Sequence, residues 1–140
     1  MRWLVVQTGR LRDPRIVALR DEYVQRFQRF GRLEVIEREP AGPGTLWPPA
    51  ARWRIALEER GELLATAALA QRLAQWSAAH GPLAFLLGDA EGHHPPSLAA
   101  ADARLSLSPL TLPHRLAHLV LVEQLYRCAS LLAGLPYHRG

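Results

Sequence analysis

Tyr137, His138 and Arg139 stand just before the last residue of a 140-residue chain, a few residues past an apolar helix that Gly134 closes. Together they offer a ring to stack on a nucleobase, an imidazole to handle a proton and a planar guanidinium to hold a phosphate or a developing negative charge. Chain ends are usually frayed. Pro136 stiffens the approach to these three and argues for a placed tail. Because the tail lies beyond the last helix, its removal is expected to cost little core burial.

Two loops carry further candidates. In "LLGDAEG" (Leu86 to Gly92), Gly88 and Gly92 let the backbone come close to a ligand. The spacing is that of neither a dinucleotide fingerprint nor a phosphate loop, and an ordinary strand-to-helix turn accounts for it as well. "LSLSPLTLPH" (Leu105 to His114) is apolar yet holds Ser106, Ser108 and Thr111. It can present backbone N–H and C=O groups to an adenine ring in an apolar slot. A plain connector, with those hydroxyls satisfying nearby backbone, is favoured on these residues alone.

His93, His94, His114 and His118 raise a metal site. His114 and His118 are four residues apart on one helix face. Zinc needs a third ligand and an orienting outer shell. Glu123 is out of phase with His114 and better spaced to pair with Arg127. No metal ligand is assigned, and a metal-dependent hydrolase using the four histidines stands last among the alternatives.

Composition bounds the rest. At 140 residues, 49% hydrophobic and 21% charged, the chain suits one soluble globular domain over 1–140. No apolar run is long enough for a bilayer, and "MRWLVVQTGR" has no signal-peptide core. Cys128 is the single cysteine, so no internal disulfide forms. A cytoplasmic protein with no membrane partner is expected. The net charge is +4, the pI about 10.2, and every basic side chain besides histidine is Arg, which admits nucleic acid as a partner.

The elements that must hold these residues alternate. Arg2 to Gly9 reads as a strand. Asp13 caps and Pro14 opens a helix whose Ile16, Leu19, Tyr23, Phe27 and Phe30 share a face. Arg32 to Glu39 alternates as a strand, and the Pro/Gly-rich stretch from Pro40 to Ala51 is irregular. Arg52 to Gly61 begins as a strand and turns near Gly61, leaving "LEERG" as a loop. Thr66 caps a helix lined by Leu69, Leu73 and Trp76. Pro82 to Asp89 reads as a fully buried parallel strand. A short helix over Pro96 to Ala103, a last strand in "RLSLS" and a long helix from Pro113 follow. The alternation predicts an α/β domain with a mostly parallel sheet, whose ligands sit beyond the carboxyl ends of the strands.

"FLLGDAEG", "LSLSPLTLPH", "EQLYR" and the terminal "PYHR", in this order and spacing, resemble the RlmH family of bacterial ribosomal RNA methyltransferases in the SPOUT class. "LEERG", "VVQTGR" and "EYVQRF" extend the resemblance over nearly the whole chain. It implies an α/β fold with a carboxyl-terminal trefoil knot that holds S-adenosylmethionine. It also implies a homodimer that methylates N3 of a pseudouridine in 23S ribosomal RNA on assembled ribosomes. By position, Leu57, Gly88, Asp89, Leu107, Ser108, Pro109, Leu110, Thr111 and Leu112 would surround the cofactor. Tyr137, His138 and Arg139 would face the target nucleotide across the dimer interface, much of which the helix from Pro113 would supply.

Two departures stand out. Asp89 and Ala90 occupy positions where the family usually has Gly and Pro, and Asp89 either crowds the cofactor or meets its charged methionine portion. Pro40 to Ala51, with Trp47, is a shortened bypass where the family commonly has a basic helix and loop. A ribosome-binding protein of the same fold, inactivated by Asp89, is the alternative to an active enzyme.

Overall fold

The computed structural model describes residues 1–139. Gly140, the last residue of the domain expected over 1–140, lies outside the described residues. Nine elements follow in order: β1 (Arg2–Thr8), α1 (Pro14–Phe27), β2 (Arg32–Arg38), β3 (Trp53–Leu63), α2 (Thr66–His80), β4 (Leu83–Leu87), α3 (Pro95–Ala99), β5 (Ala103–Ser106) and α4 (His114–Leu132). The sheet runs in the order β2-β1-β4-β3-β5, with every pairing parallel.

Parallel strands need cover on both faces, and β1 shows how this chain supplies it. Trp3 and Val5 point toward α1, α2 and α4 and join the larger core with Phe27, Phe85, Leu73, Leu121 and Leu125. Leu4 and Val6 point the other way, onto Ala84, Leu86, Leu46 and Trp47. The irregular stretch from Pro40 to Ala51 is therefore the cover of the second face. Ser97 of α3 anchors it: Leu46 N–H donates to Ser97 Oγ at 2.8 Å and Trp47 Nε1 to Ser97 O at 2.8 Å. β4 is buried at all five positions, as its unbroken apolar run predicts.

Helix ends follow their sequence signals at Asp13, Pro113 and Gly134 but not at Thr66. Asp13 accepts the Arg15 N–H at 3.0 Å with Pro14 behind it. Gly134 (φ +73°) ends α4, with Gly134 N–H bonded to Leu131 O and Leu135 N–H to Ser130 O, a Schellman pattern. Thr66 is not a cap: Ala65 takes that position, and the Thr66 hydroxyl donates to Gln124 Oε1 of α4 at 2.8 Å. Inter-helix pairing outcompeted the local bond. Leu19, expected on the core face of α1, is 40% exposed, while Arg20 beside it is buried.

β3 departs most from expectation. It does not turn at Gly61 but runs on to Leu63, so "LEERG" lies within the strand. Leu57 and Glu62 both pair with Leu105 of β5, and the residues between them bulge out of register. Gly61 makes the return possible, because a Cβ there would lie 2.6 Å from the Leu105 carbonyl carbon and 2.7 Å from its nitrogen. The short helix also sits earlier than predicted, at Pro95–Ala99, because Ala103 is taken by β5.

Gly61→Ala is therefore expected to destabilise the fold by about 2–3 kcal/mol through overpacking against backbone. Thermal unfolding of the variant checks this; an unchanged Tm would mean that β5 shifts freely and the bulge is not held by this contact.

Candidate functional site

The bulge of β3 and the loops after β4 and β5 meet at the carboxyl edge of the sheet around a cavity of about 740 Å³. Leu57, Glu58, Glu59 and Arg60 form one wall, and Leu87 to His93 a second. Ser106, Leu107, Ser108, Leu110 and Leu112 form a third, and Pro113, His114 and Ala117 of the first turn of α4 close it. Seven of the nine sequence-predicted cofactor residues thus share one cavity: Leu57, Gly88, Asp89, Leu107, Ser108, Leu110 and Leu112. Pro109 and Thr111 belong to the same loop but are not among its walls. Glu58 to Arg60 belong to "LEERG", a post-strand segment expected to be a candidate ligand loop, and they do line the cavity, though as individual residues they carried no predicted role. Their signal was "LEERG" itself, misread as a turn.

The two loop walls are internally braced. In the loop after β4, Asp89 N–H bonds Gly92 O at 3.2 Å and Gly92 N–H bonds Asp89 O at 3.0 Å. Asp89 Oδ1 accepts the Glu91 N–H at 2.9 Å. Gly88 is required by this closure, since a Cβ on it would meet the Gly92 carbonyl at 2.9 Å. Asp89 therefore closes its own turn through Oδ1 while also lining the cavity. In the loop after β5, Ser106 Oγ donates to Ser108 O at 3.0 Å, and Ser108 Oγ accepts the Leu110 N–H at 2.9 Å. The serines satisfy local backbone, as a connector's would, and the same bonds hold Leu110 out, 72% exposed, at the cavity mouth.

The four histidines are apart in role. His93 donates Nε2–H to Leu57 O at 2.6 Å, joining two walls. His94 Nδ1 lies 2.8 Å from Ser97 Oγ. His114 lines the cavity, while His118 is fully buried with Nδ1 2.8 Å from Gln7 Oε1. Among the described residues no three His, Cys, Asp or Glu side chains gather as a metal site. Burial, then the Arg20 charge, lowers the His118 pKa to about 4, so the ring is neutral. The thiol of buried Cys128 is pushed up to about 12 by desolvation and is no nucleophile.

The tail is neither frayed nor at the cavity. Tyr137 packs edge-on against Tyr126 with ring centroids 4.7 Å apart, and its hydroxyl donates to Glu123 Oε1 at 3.1 Å. The Arg127 guanidinium lies 4.7 Å from the Tyr137 ring centroid and donates from Nη1 to His138 Nδ1 at 3.1 Å. Burial, followed by hydrogen bonding with Tyr23, raises the Tyr137 phenol above its ordinary value. Arg139 is exposed. Tyr137 thus belongs to the packed fold, which corrects the expectation that the tail is dispensable for stability. Glu123 also bonds Arg127 Nε at 2.9 Å, the pairing their spacing predicts. From His114 at the cavity to Arg127 at the tail, α4 runs about 20 Å. One chain does not bring Tyr137, His138 and Arg139 to its own cavity.

Comparison with known proteins adds a family and relatives. The family described as "Predicted SPOUT methyltransferase" matches residues 1–138. The chain is 45% identical over 143 residues to "Ribosomal RNA large subunit methyltransferase H" of Sorangium cellulosum (strain So ce56), covering 98% of this chain and 99% of that one. It is 44% identical over 142 residues to the protein of the same name from Thermus thermophilus, covering 99% of each. In fold it is similar to a probable methylase family protein from Haemophilus influenzae Rd KW20, with a TM-score of 0.60 at 10% identity, covering 99% of this chain and 70% of that one. No helix among the described residues is long and apolar enough to cross a membrane.

His118 sets a pH dependence. Its folded pKa, about 4, lies below the ordinary value of 6.5, so the unfolded state binds the proton first as pH falls. Stability is expected to be full above pH 6.5 and to fall between 6.5 and 4, by roughly 3 kcal/mol at most. His118→Leu should flatten that window in urea unfolding curves. A wild-type curve already flat from about pH 7 to 4 would mean that the imidazole is not desolvated.

Proposed function

The chain belongs to the SPOUT methyltransferase family, and from that premise we propose that it methylates ribosomal RNA of the large subunit. The reaction takes the methyl group of S-adenosylmethionine to N3 of a pseudouridine in 23S ribosomal RNA, on assembled ribosomes in the cytoplasm. The protein acts as a homodimer built from one SPOUT domain over 1–140, with the loops after β4 and β5 belonging to a trefoil knot. The observation that carries this is the convergence of the walls of β3, β4, β5 and α4 on one cavity of about 740 Å³, a size suited to a nucleoside cofactor.

The residues present fit that cofactor. Leu57, Leu107, Leu110 and Leu112 offer apolar surface to an adenine ring, and Pro109 and Thr111 complete the chain of the loop after β5. Asp89 uses Oδ1 in its turn, which leaves Oδ2 for the ammonium of the methionine portion. Bound there, S-adenosylmethionine supplies a methyl group made electrophilic by its sulfonium. The chain's own residues orient the acceptor and stabilise charge on it.

His138 receives a proton donor at Nδ1 from Arg127, so its neutral ring carries hydrogen on Nε2. It faces a base carbonyl as a donor, and Arg139 beside it is a second donor. Both stabilise the anion that forms as the N3 proton leaves to water, and the N3 lone pair is then the nucleophile. Tyr137 holds the pair in place through Glu123 and Tyr126. Because tail and cavity lie at opposite ends of α4, the tail that completes a cavity comes from a second copy. Leu19 of α1 and Leu116 of α4, 40% and 41% exposed, supply apolar surface for that contact.

The test uses ribosomes from cells lacking this modification and cofactor labelled in the methyl group. Label should appear at N3 of one pseudouridine; a chain that binds the cofactor yet labels no ribosome would overturn the substrate. Arg139→Ala should lower kcat by about 100-fold, as loss of one oxyanion donor does, and Arg139→Lys by less.

Asp89→Asn keeps the turn-closing oxygen and removes the charge. Its affinity for S-adenosylmethionine, read by calorimetry, should fall about tenfold for a charged hydrogen bond lost. Unchanged affinity would place the ammonium elsewhere.

A further inference from the structure

We propose that Gln7 and His118 are positioning residues: a buried clamp that joins two walls of the cavity and sets its width. The inference rests on the cavity being the cofactor site only for its catalytic readout; the clamp itself is a matter of geometry.

Gln7 interrupts the apolar run of β1, is 1% exposed and uses its whole amide. Its Nε2 donates to Thr8 O at 2.9 Å and to Gly88 O at 3.0 Å. Two carbonyl acceptors fix which end of the amide is nitrogen, so Oε1 faces His118. The 2.8 Å contact is then His118 Nδ1–H donating to Gln7 Oε1. That assignment leaves Nε2 as the bare lone pair, and the field of Arg20 opposes its protonation. The ring is held as one neutral tautomer.

The two ends of this chain of bonds are walls. Gly88 is the first foot of the loop that carries Asp89, and His93, the second foot, is held to Leu57 O. Within the loop, the Asp89–Gly92 bonds close a turn whose first foot is Gly88, so that turn opens more readily once the foot is free. His118 follows Ala117 directly in the first turns of α4, where Pro113, His114 and Ala117 face the cavity. Gln7 therefore ties the Gly88–Gly92 unit to the start of α4 across the end of β1. Removing either partner buries an unsatisfied amide or imidazole and frees the loop's first foot.

The experiment compares Gln7→Met, which keeps the volume and loses the amide, with His118→Leu and His118→Asn. The Asn amide stands near where Nδ1–H stood and can still donate to Gln7. Hydrogen exchange at the Asp89 and Gly92 amides should rise at least about tenfold in Gln7→Met and His118→Leu relative to β2 amides, and much less in His118→Asn. The affinity for S-adenosylmethionine should weaken about tenfold in the same two variants, with kcat at saturating cofactor nearly unchanged. The double variant Gln7→Met/His118→Leu should lose no more than either single, as a unit does. A lower Tm with loop exchange unchanged, or Asn no better than Leu, would overturn the clamp. If the wild type bound no S-adenosylmethionine, the cofactor assignment would fall, and the exchange data would still decide the clamp.

Discussion

An all-parallel sheet has no face that can be left to water, and the rest of this fold follows from how two unequal covers meet that demand. Three helices pack on one face through Trp3, Phe27, Phe85 and Leu125. The other is closed by α3 and by a stretch with no regular structure, held by Leu46, Trp47 and the two bonds to Ser97. Apolar residues at successive positions of β1 and β4 satisfy both sides at once. Past Arg2, every position of both strands is buried, which leaves no exposed side chain there for chemistry.

Function is consequently pushed to the carboxyl edge, where the strands stop and their loops begin. β3 reaches that edge by bulging after Leu57 and rejoining β5 at Glu62, a path that a side chain at Gly61 would block. The loop after β4 reaches it as a closed turn in which Asp89 bonds its own backbone. The departure from a Gly-Pro pair at this point therefore has a local structural account, because the carboxylate replaces conformational restriction with a hydrogen bond.

α4 links the two places where chemistry is expected. Its first turn faces the cavity, and its second half holds the tail through Glu123, which takes bonds from Arg127, Tyr137 and Gln124 Nε2 at 2.8 Å. Those donors converge on a partly buried carboxylate, which in turn holds Arg127 against the Tyr137 ring and His138. The spacing along a rigid helix is what separates tail from cavity in one chain.

Much of this was legible in the residues. Hydrophobic periodicity, Asp13-Pro14 and Gly134 depend on local geometry, and β1, β2, β4, α1 and the end of α4 stand where those signals put them. The ordered motifs "LLGDAEG", "LSLSPLTLPH" and "PYHR" carried the family, and seven of the predicted cofactor residues line one cavity. Tertiary contacts decided the rest. Whether β3 turned or bulged depended on the Leu105 backbone, 48 positions beyond Leu57 in the chain. Thr66 abandoned its cap for Gln124, and Tyr137 left the solvent for Tyr126. Gln7 read as one polar residue in an apolar strand until folding set it between Gly88 and His118. Sequence patterns report what neighbours along the chain allow, whereas the pairing of distant groups depends on which buried donors and acceptors remain once the core has closed.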